Sequence, residues 1–395
     1  MKCKQKLGHL LFFILLSFSL LLTGCWGRKE INDLAIVLAT GLDYKNEKVQ
    51  LTAQIFVPRK GGGTESVGST GGSPSGLTMI HKAEGSTIAE ALNRLQRKVS
   101  REMFWGHCEV IVFNEEASKQ GLREYIDFFL RYPEFREHAY VFSSKARAEE
   151  ILALLDPLER SSAESLREMA NLGLGAKVTL LELVRSIDGP SKTALLSRLL
   201  ISPLEIGQEN LATTPFFKGI SLFKEGKYVR TVEEPLSGGV LLLSNELNNF
   251  IIPISIKSSK GVIAIRLDKA TVSIQPHIKN QKWSVKMLVN AKGDVVLNTT
   301  NVDLADQKAI SEVRQAWSDR LKEYAEQAIV FSQNEFKADL FKTSVQFRRY
   351  YPKQWQAQKN NWEKIYTEMD ITVVNKVVIT HTGKSTEPQG EGKTN

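Results

Sequence analysis

The sequence predicts an α+β fold of mixed α/β character. It reads as an exported, three-domain protein with mixed sheets flanked by helices and a long helix in the C-terminal domain. Three observations carry this. A chain of 395 residues exceeds one ordinary domain of roughly 100–200 residues. Apolar residues at 42% and charged residues at 24% are ordinary globular values, which exclude wholesale disorder, collagen and coiled coil. Strand-like and helix-like apolar patterns then alternate along the first half and separate into meander, helix and strand in the second.

Export is read from residues 1–25. Lys2, Lys4 and Lys6 precede an apolar stretch of 13 residues from Leu10 to Leu22. At 1.5 Å per residue this spans about 20 Å, short of a ~30 Å hydrocarbon core, so it reads as a cleavable signal rather than a membrane span. Leu22-Thr23-Gly24-Cys25 resembles the bacterial lipobox. In that motif the cysteine thiol takes a diacylglyceryl group and the peptide is cut before it. The expected cleavage follows Gly24, and Cys25 becomes an N-palmitoyl, S-diacylglycerol cysteine. Two or more acyl chains give stable anchoring where one is marginal. Cys3 is lost with the signal, so Cys108 is the remaining thiol and no internal disulfide forms. The net charge is +8, and +5 without residues 1–24. That modest basicity suits an anionic membrane or wall as well as nucleic acid, and an exported lipoprotein meets no nucleic acid.

The elements follow in order. Leu34 to Leu42 fits a buried strand, and Val49 to Val57 alternates as its hairpin partner. Residues 59–78 hold seven glycines and four serines and read as a flexible loop. Thr87 and Glu90 form a capping box before a helix over 87–100. A strand at 110–113, a helix ended by Pro133, a strand at 139–142 and a helix at 148–155 complete an N-terminal domain over 25–190. Residues 186–215 read as a connector. A small middle domain over 210–258 is expected from a hairpin around Glu225-Gly226 and strands at 241–243 and 251–256. The C-terminal domain, 259–382, is expected to hold three strands in 261–298, with turns at Lys279 to Lys282 and at Lys292-Gly293-Asp294. A long helix over 304–331, a short helix carrying Trp355 and Trp362 on one face, and a closing strand at 371–379 follow. Residues 383–395 read as a disordered tail.

No catalytic constellation emerges. His107 and Cys108 adjoin in an expected strand, where successive side chains point to opposite faces, so they form no dyad. Cys108 shares its face with Val110 and Val112 and reads as a core thiol. His81, His138, His277 and His381 stand alone, and HxH, HExxH, CxxC, GxSxG, Walker and GxGxxG patterns are absent from the sequence. The expectation is no enzyme, no cofactor and no metal. The sharpest basic–aromatic cluster, Arg348, Arg349, Tyr350 and Tyr351 with Trp355, is the candidate partner surface.

Four blocks resemble the Ger(x)C family, the lipoprotein C subunit of bacterial spore germinant receptors. They are Cys25-Trp26 with Glu30-Ile31 and the strand ending Thr40-Gly41-Leu42-Asp43; Phe104-Trp105-Gly106-His107 before Val110-Ile111-Val112; Arg131-Tyr132-Pro133-Glu134 with Arg136; and Tyr351-Pro352-Lys353 with Trp355, Trp362, the Val373–Ile379 strand and Gly383. Where the family usually has an acid after Cys-Trp, this chain has Gly27. The resemblance implies a lipoprotein on the outer face of the spore inner membrane. It would act in nutrient-triggered germination by contacts with membrane-embedded A and B subunits, and would meet the small-molecule nutrient only indirectly. The alternative is an extracytoplasmic solute-binding lipoprotein, which would need two similar lobes around a cleft.

Overall fold

The computed structural model describes residue 30 and residues 33–58 and 78–383. The expected signal, the lipid site at Gly24 and Cys25, all but Thr78 of the Gly/Ser loop and all but Gly383 of the tail lie outside the described residues. The mixed α/β expectation is met by two mixed sheets with helices packed on them.

The first sheet is built from β1 (Leu34–Lys45), β2 (Lys48–Phe56), β3 (Thr78–Gly85), β4 (Glu102–Phe104), β5 (Val110–Asn114), β6 (Tyr140–Ser144), β7 (Thr193–Ile201), β8 (Pro215–Lys224) and β9 (Lys227–Val232). Their order is β3-β2-β1-β5-β6-β7-β8-β9, with β4 beside the start of β1. The centre, β1-β5-β6-β7, is parallel, and the flanks are antiparallel. Parallel centres need both faces covered. One face packs on α1 (Ile88–Gln96), α2 (Glu115–Gln120), α3 (Arg123–Arg131) and a helix over Leu180–Asp188. The other packs on α4 (Ala148–Leu152) and α5 (Ser162–Asn171); the Leu180–Asp188 helix is α6.

The Gly-Leu-Asp step at the end of β1 locks α4 to this sheet. A Cβ on Gly41 would sit 2.7 Å from the Ala148 Cβ, so only glycine admits the helix there. Two residues on, the buried Asp43 carboxylate accepts the N–H groups of Ala148 (2.8 Å) and Glu149 (3.3 Å), which are otherwise orphaned at a helix start.

The second sheet runs β10 (Phe250–Ile254), β11 (Ile263–Lys279), β12 (Lys282–Asn298) and β13 (Asp370–His381). It packs on α7 (Leu236–Leu243) and the long α8 (Gln307–Val330), which continues as a wider turn over Phe331–Phe336. Then come α9 (Thr343–Tyr350), α10 (Pro352–Gln358), a 3-10 turn and α11 (Trp362–Glu368). Val313, Trp317, Leu321, Tyr324 and Ala328 are the buried stripe of α8, as their spacing predicts, while Ile310, expected on the same stripe, is half-buried.

Several expectations are corrected. The connector 186–215 contains β7, an interior strand of the first sheet; helices on both sheet faces bury its apolar run, so no alternation marks it. Leu241–Leu243 ends a helix, not a strand. Leu236 to Leu243 is apolar all round, and periodicity does not separate a buried helix from a buried strand. Residues 261–298 form two long strands. Lys279–Lys282 is their turn, but Gly293 lies inside β12 at a bulge, where Arg266 O and the Trp317 ring leave no room for a side chain. The hairpin β8–β9 extends the first sheet and β10 joins the second, so residues 210–258 share their strands between the two sheets rather than making a sheet of their own. His107 sits in a turn before β5, exposed, beside a fully buried Cys108.

The two sheets share a core. Ile220, Leu222 and Val232 of β8 and β9 pack with residues of α7 and α8. Thr193 Oγ1 donates to Asp339 O at 2.7 Å, and Lys224 pairs with Glu363 at 2.9 Å.

Candidate partner surface

The basic–aromatic cluster occupies the end of α9 and the start of α10. Its position is set from below by an aromatic stack. Phe347 is fully buried, 4.7 Å from Trp283 and 5.6 Å from Trp362 between ring centroids, and Trp355 meets Trp362 edge-on at 5.1 Å. Such contacts contribute about 0.5–1.5 kcal/mol each beyond area burial. The helix start is set by Asp339, which is fully buried. Its carboxylate accepts the Thr343 and Ser344 N–H groups at 2.9 and 2.7 Å. Burial pushes the Asp339 carboxyl above the usual range, and those N–H groups only partly offset this. Lys337 and Lys342 bracket the loop in left-handed conformation, with φ of 52° and 57°.

The five residues separate in this frame. Arg348, Arg349 and Tyr350 are exposed, and Tyr350 keeps 59% of its surface in solvent. The Arg349 guanidinium lies over the Tyr350 ring at 5.7 Å. Among the described residues neither arginine forms an ion pair, so both charges face outward. Tyr351 is half-buried against Phe347. Trp355 is 7% exposed and belongs to the core. It is therefore removed from the partner surface, because it packs edge-on against Trp362; the single short helix expected to carry both indoles is instead two, α10 and α11, separated by the 3-10 turn. What remains of the candidate surface is Arg348, Arg349 and Tyr350, with the edge of Tyr351.

Tyr350 also closes one side of a cavity of about 460 Å³ between the two sheets. Leu195 and Phe341 line it, along with Ser244 and Glu246 in the turn after α7. The half-buried Glu246 accepts the Lys177 N–H at 2.9 Å through Oε2, and desolvation raises its carboxyl above the usual range. The sequence reading missed this turn because it took the preceding helix for a strand. It missed Asp339 because a cap placed four residues ahead of the helix leaves no local pattern.

No helix among the described residues is long and apolar enough to cross a membrane, and no group of three or more His, Cys, Asp or Glu among them is placed to hold a metal ion.

Two family models match the chain. One, for the spore germination protein N-terminal domain, covers residues 27–201; the other, spore germination B3/GerAC like, C-terminal, covers residues 218–383. The chain belongs to the Ger(x)C spore germination family. Family relatives span nearly its whole length. Spore germination protein KC of Bacillus subtilis is 26% identical over 398 residues, 96% of this chain and 97% of that protein. Spore germination protein B3 of the same organism is 22% identical, covering 94% and 96%. Spore germination protein GerQC of Bacillus cereus is 23% identical, covering 95% and 98%. The crystal structure of the GerBC protein aligns with 87% of this chain and 97% of its own, at a TM-score of 0.55 and 17% identity, which shows a shared fold. The Gly41-Leu42-Asp43 step of the Ger(x)C resemblance thus has a structural task, the docking of α4.

Proposed function

We propose that this chain is the lipid-anchored C subunit of a spore germinant receptor. It is attached through Cys25 at the outer face of the spore inner membrane and acts by contact with membrane-embedded A and B subunits rather than by chemistry. The observation that supports this most is the match to both Ger(x)C family models, in order, over residues 27–383. The lipobox residues Leu22-Thr23-Gly24-Cys25 precede that match directly. Arg348 and Arg349, which form no ion pair among the described residues, and an exposed Tyr350 supply a surface of the composition that partner interfaces favour. A solute-binding lipoprotein needs two similar lobes, and the two sheets here differ in strand number and topology.

Mass spectrometry of the mature N-terminus tests the anchor: a diacylglyceryl-modified Cys25 is expected, and an unmodified end or one starting at Met1 refutes it. Co-purification of tagged chain from spore inner membrane tests the rest. The A and B subunits are expected to come with it, and their absence sinks the receptor reading.

A further inference from the structure

The cavity between the two sheets borders an unfinished strand edge. β10 pairs only with residues 263–267 of β11, whereas β11 runs on to Lys279. Beyond Leu267 no strand lies beside that edge of β11 among the described residues. The Asn245 side chain imitates one at a single residue: Val272 N–H donates to Asn245 Oδ1 at 2.6 Å, and Asn245 Nδ2 donates to Val272 O at 3.3 Å. The main-chain groups of Val272 therefore point away from β12. In an antiparallel strand residues two apart share this direction, so those of Ile274, Pro276 and Ile278 also face the open edge. Pro276 agrees, since proline is tolerated where no ladder hydrogen bond is needed. No hydrogen bond among the described residues reaches the N–H or C=O of Ile274 from that side, and Ile274 lines the cavity.

The cavity walls add charge and shape. Its volume of about 460 Å³ lies within the roughly 300–1,000 Å³ of pockets that take ligands. Glu182 and Glu246 both line it, and Glu246 Oε1 accepts no hydrogen bond among the described residues. The Ser244 hydroxyl is buried there without a partner among the described residues. Of the two lysines at the wall, Lys177 turns its ammonium to Asn171 Oδ1 (3.0 Å) and the Tyr140 ring (5.3 Å). Lys342 is then the cation that opposes the two carboxylates.

We infer that this cleft takes an extended segment of a partner subunit, which adds as a short strand on the Ile274 edge of β11 and places a lysine or arginine side chain against Glu246 and Glu182. Main-chain hydrogen bonds supply affinity in this mode, and the side-chain pocket supplies selectivity. The cleft continues the outer contact face through Tyr350, which belongs to both. The inference rests on the reading of this chain as a receptor subunit.

The test is photocrosslinking in spores carrying the full chain with Val345→p-benzoylphenylalanine, at a residue that lines the cleft and is 39% exposed. The expected product joins position 345 to a segment of the A or B subunit that contains Lys or Arg. Glu246→Gln keeps an acceptor for the Lys177 N–H and removes the charge. Ser244→Phe fills the cavity. Each is expected to lower the crosslink yield at least fivefold at unchanged abundance of the chain. If the subunits co-purify but position 345 crosslinks only within its own chain, or to them with a yield indifferent to both variants, the cleft inference alone is overturned. If neither subunit co-purifies, the receptor reading fails and the cleft inference falls with it.

Discussion

Asp43 and Cys108 show how burial sets chemistry one side chain at a time. Loss of water around Asp43 raises its carboxyl to about 6, and the Ala148 and Glu149 N–H groups and Arg147 only partly offset this. The folded state thus holds the Asp43 proton more tightly than the unfolded chain does. The associated stability is fully present below the ordinary carboxyl range and is lost as pH rises through about 6. The loss is at most about 3 kcal/mol, since each unit is worth about 1.4 kcal/mol. Asn at this position keeps an acceptor and has no proton to lose. The stability of wild type against urea is expected to fall between pH 4 and 7.5 relative to Asp43→Asn; parallel profiles would refute the assignment. Cys108 is the opposite case, a group made inert. Its Sγ lies 3.5 Å from Val110 O, and burial pushes the thiol up to about 12. Iodoacetamide at pH 8 should leave it unmodified in the native protein and alkylate it in urea. Cys108→Ala should cost about 1–2 kcal/mol and leave germination near wild type. Lost function in a folded variant would mean that the thiol has a chemical role.

Between elements, close approach decides which residue fits. In α7 two adjacent glycines have opposite surroundings. A Cβ at Gly239 would lie 2.1 Å from Tyr324 O of α8, whereas one at Gly238 meets nothing nearer than the Phe250 ring at 3.9 Å. Gly239→Ala should therefore push the two helices apart and cost about 1–3 kcal/mol. Gly238→Ala should stabilise α7 by about 0.5–1 kcal/mol through reduced backbone entropy loss. The difference in urea midpoint between the two variants reads the helix crossing directly; equal effects would refute it. The same geometry explains why Leu236–Leu243 is illegible as a helix in sequence. Its apolar residues serve contacts on every side, so they carry no period.

For the whole molecule, the two sheets act as one framework that presents α9 and its arginines. Arg348→Glu combined with Arg349→Glu reverses two exposed charges and touches no core residue. The variant should fold with an unchanged circular dichroism spectrum and thermal midpoint, yet fail to co-purify with the A or B subunit. Normal co-purification together with normal nutrient-triggered germination would refute the contact face and leave these arginines as solvated surface. Truncating Trp355 would not test the same idea, because that indole holds the aromatic stack under α9.

By itself the sequence determined what depends on short-range pattern. The signal and lipobox expectation rests on consecutive residues. The alternation in β2 is legible although its polar Gln50, Thr52 and Gln54 are buried too, and the stripe on α8 follows from a face that meets one environment along its length. Order and spacing of four short blocks were enough for the family. Only the tertiary structure decided what depends on residues distant in the chain. β7 is mostly apolar with no strict alternation, and α7 is apolar on every side, so the neighbours that bury them, not their own pattern, choose strand or helix. Trp355 left the candidate surface because it packs edge-on against Trp362 in the core. Asn245 and the open edge of β11 meet across 27 residues, and Asp339 ties α9 to β7 through Thr193 across 146. Local sequence records the period of an element. The cleft between the sheets exists only once packing has chosen which faces meet.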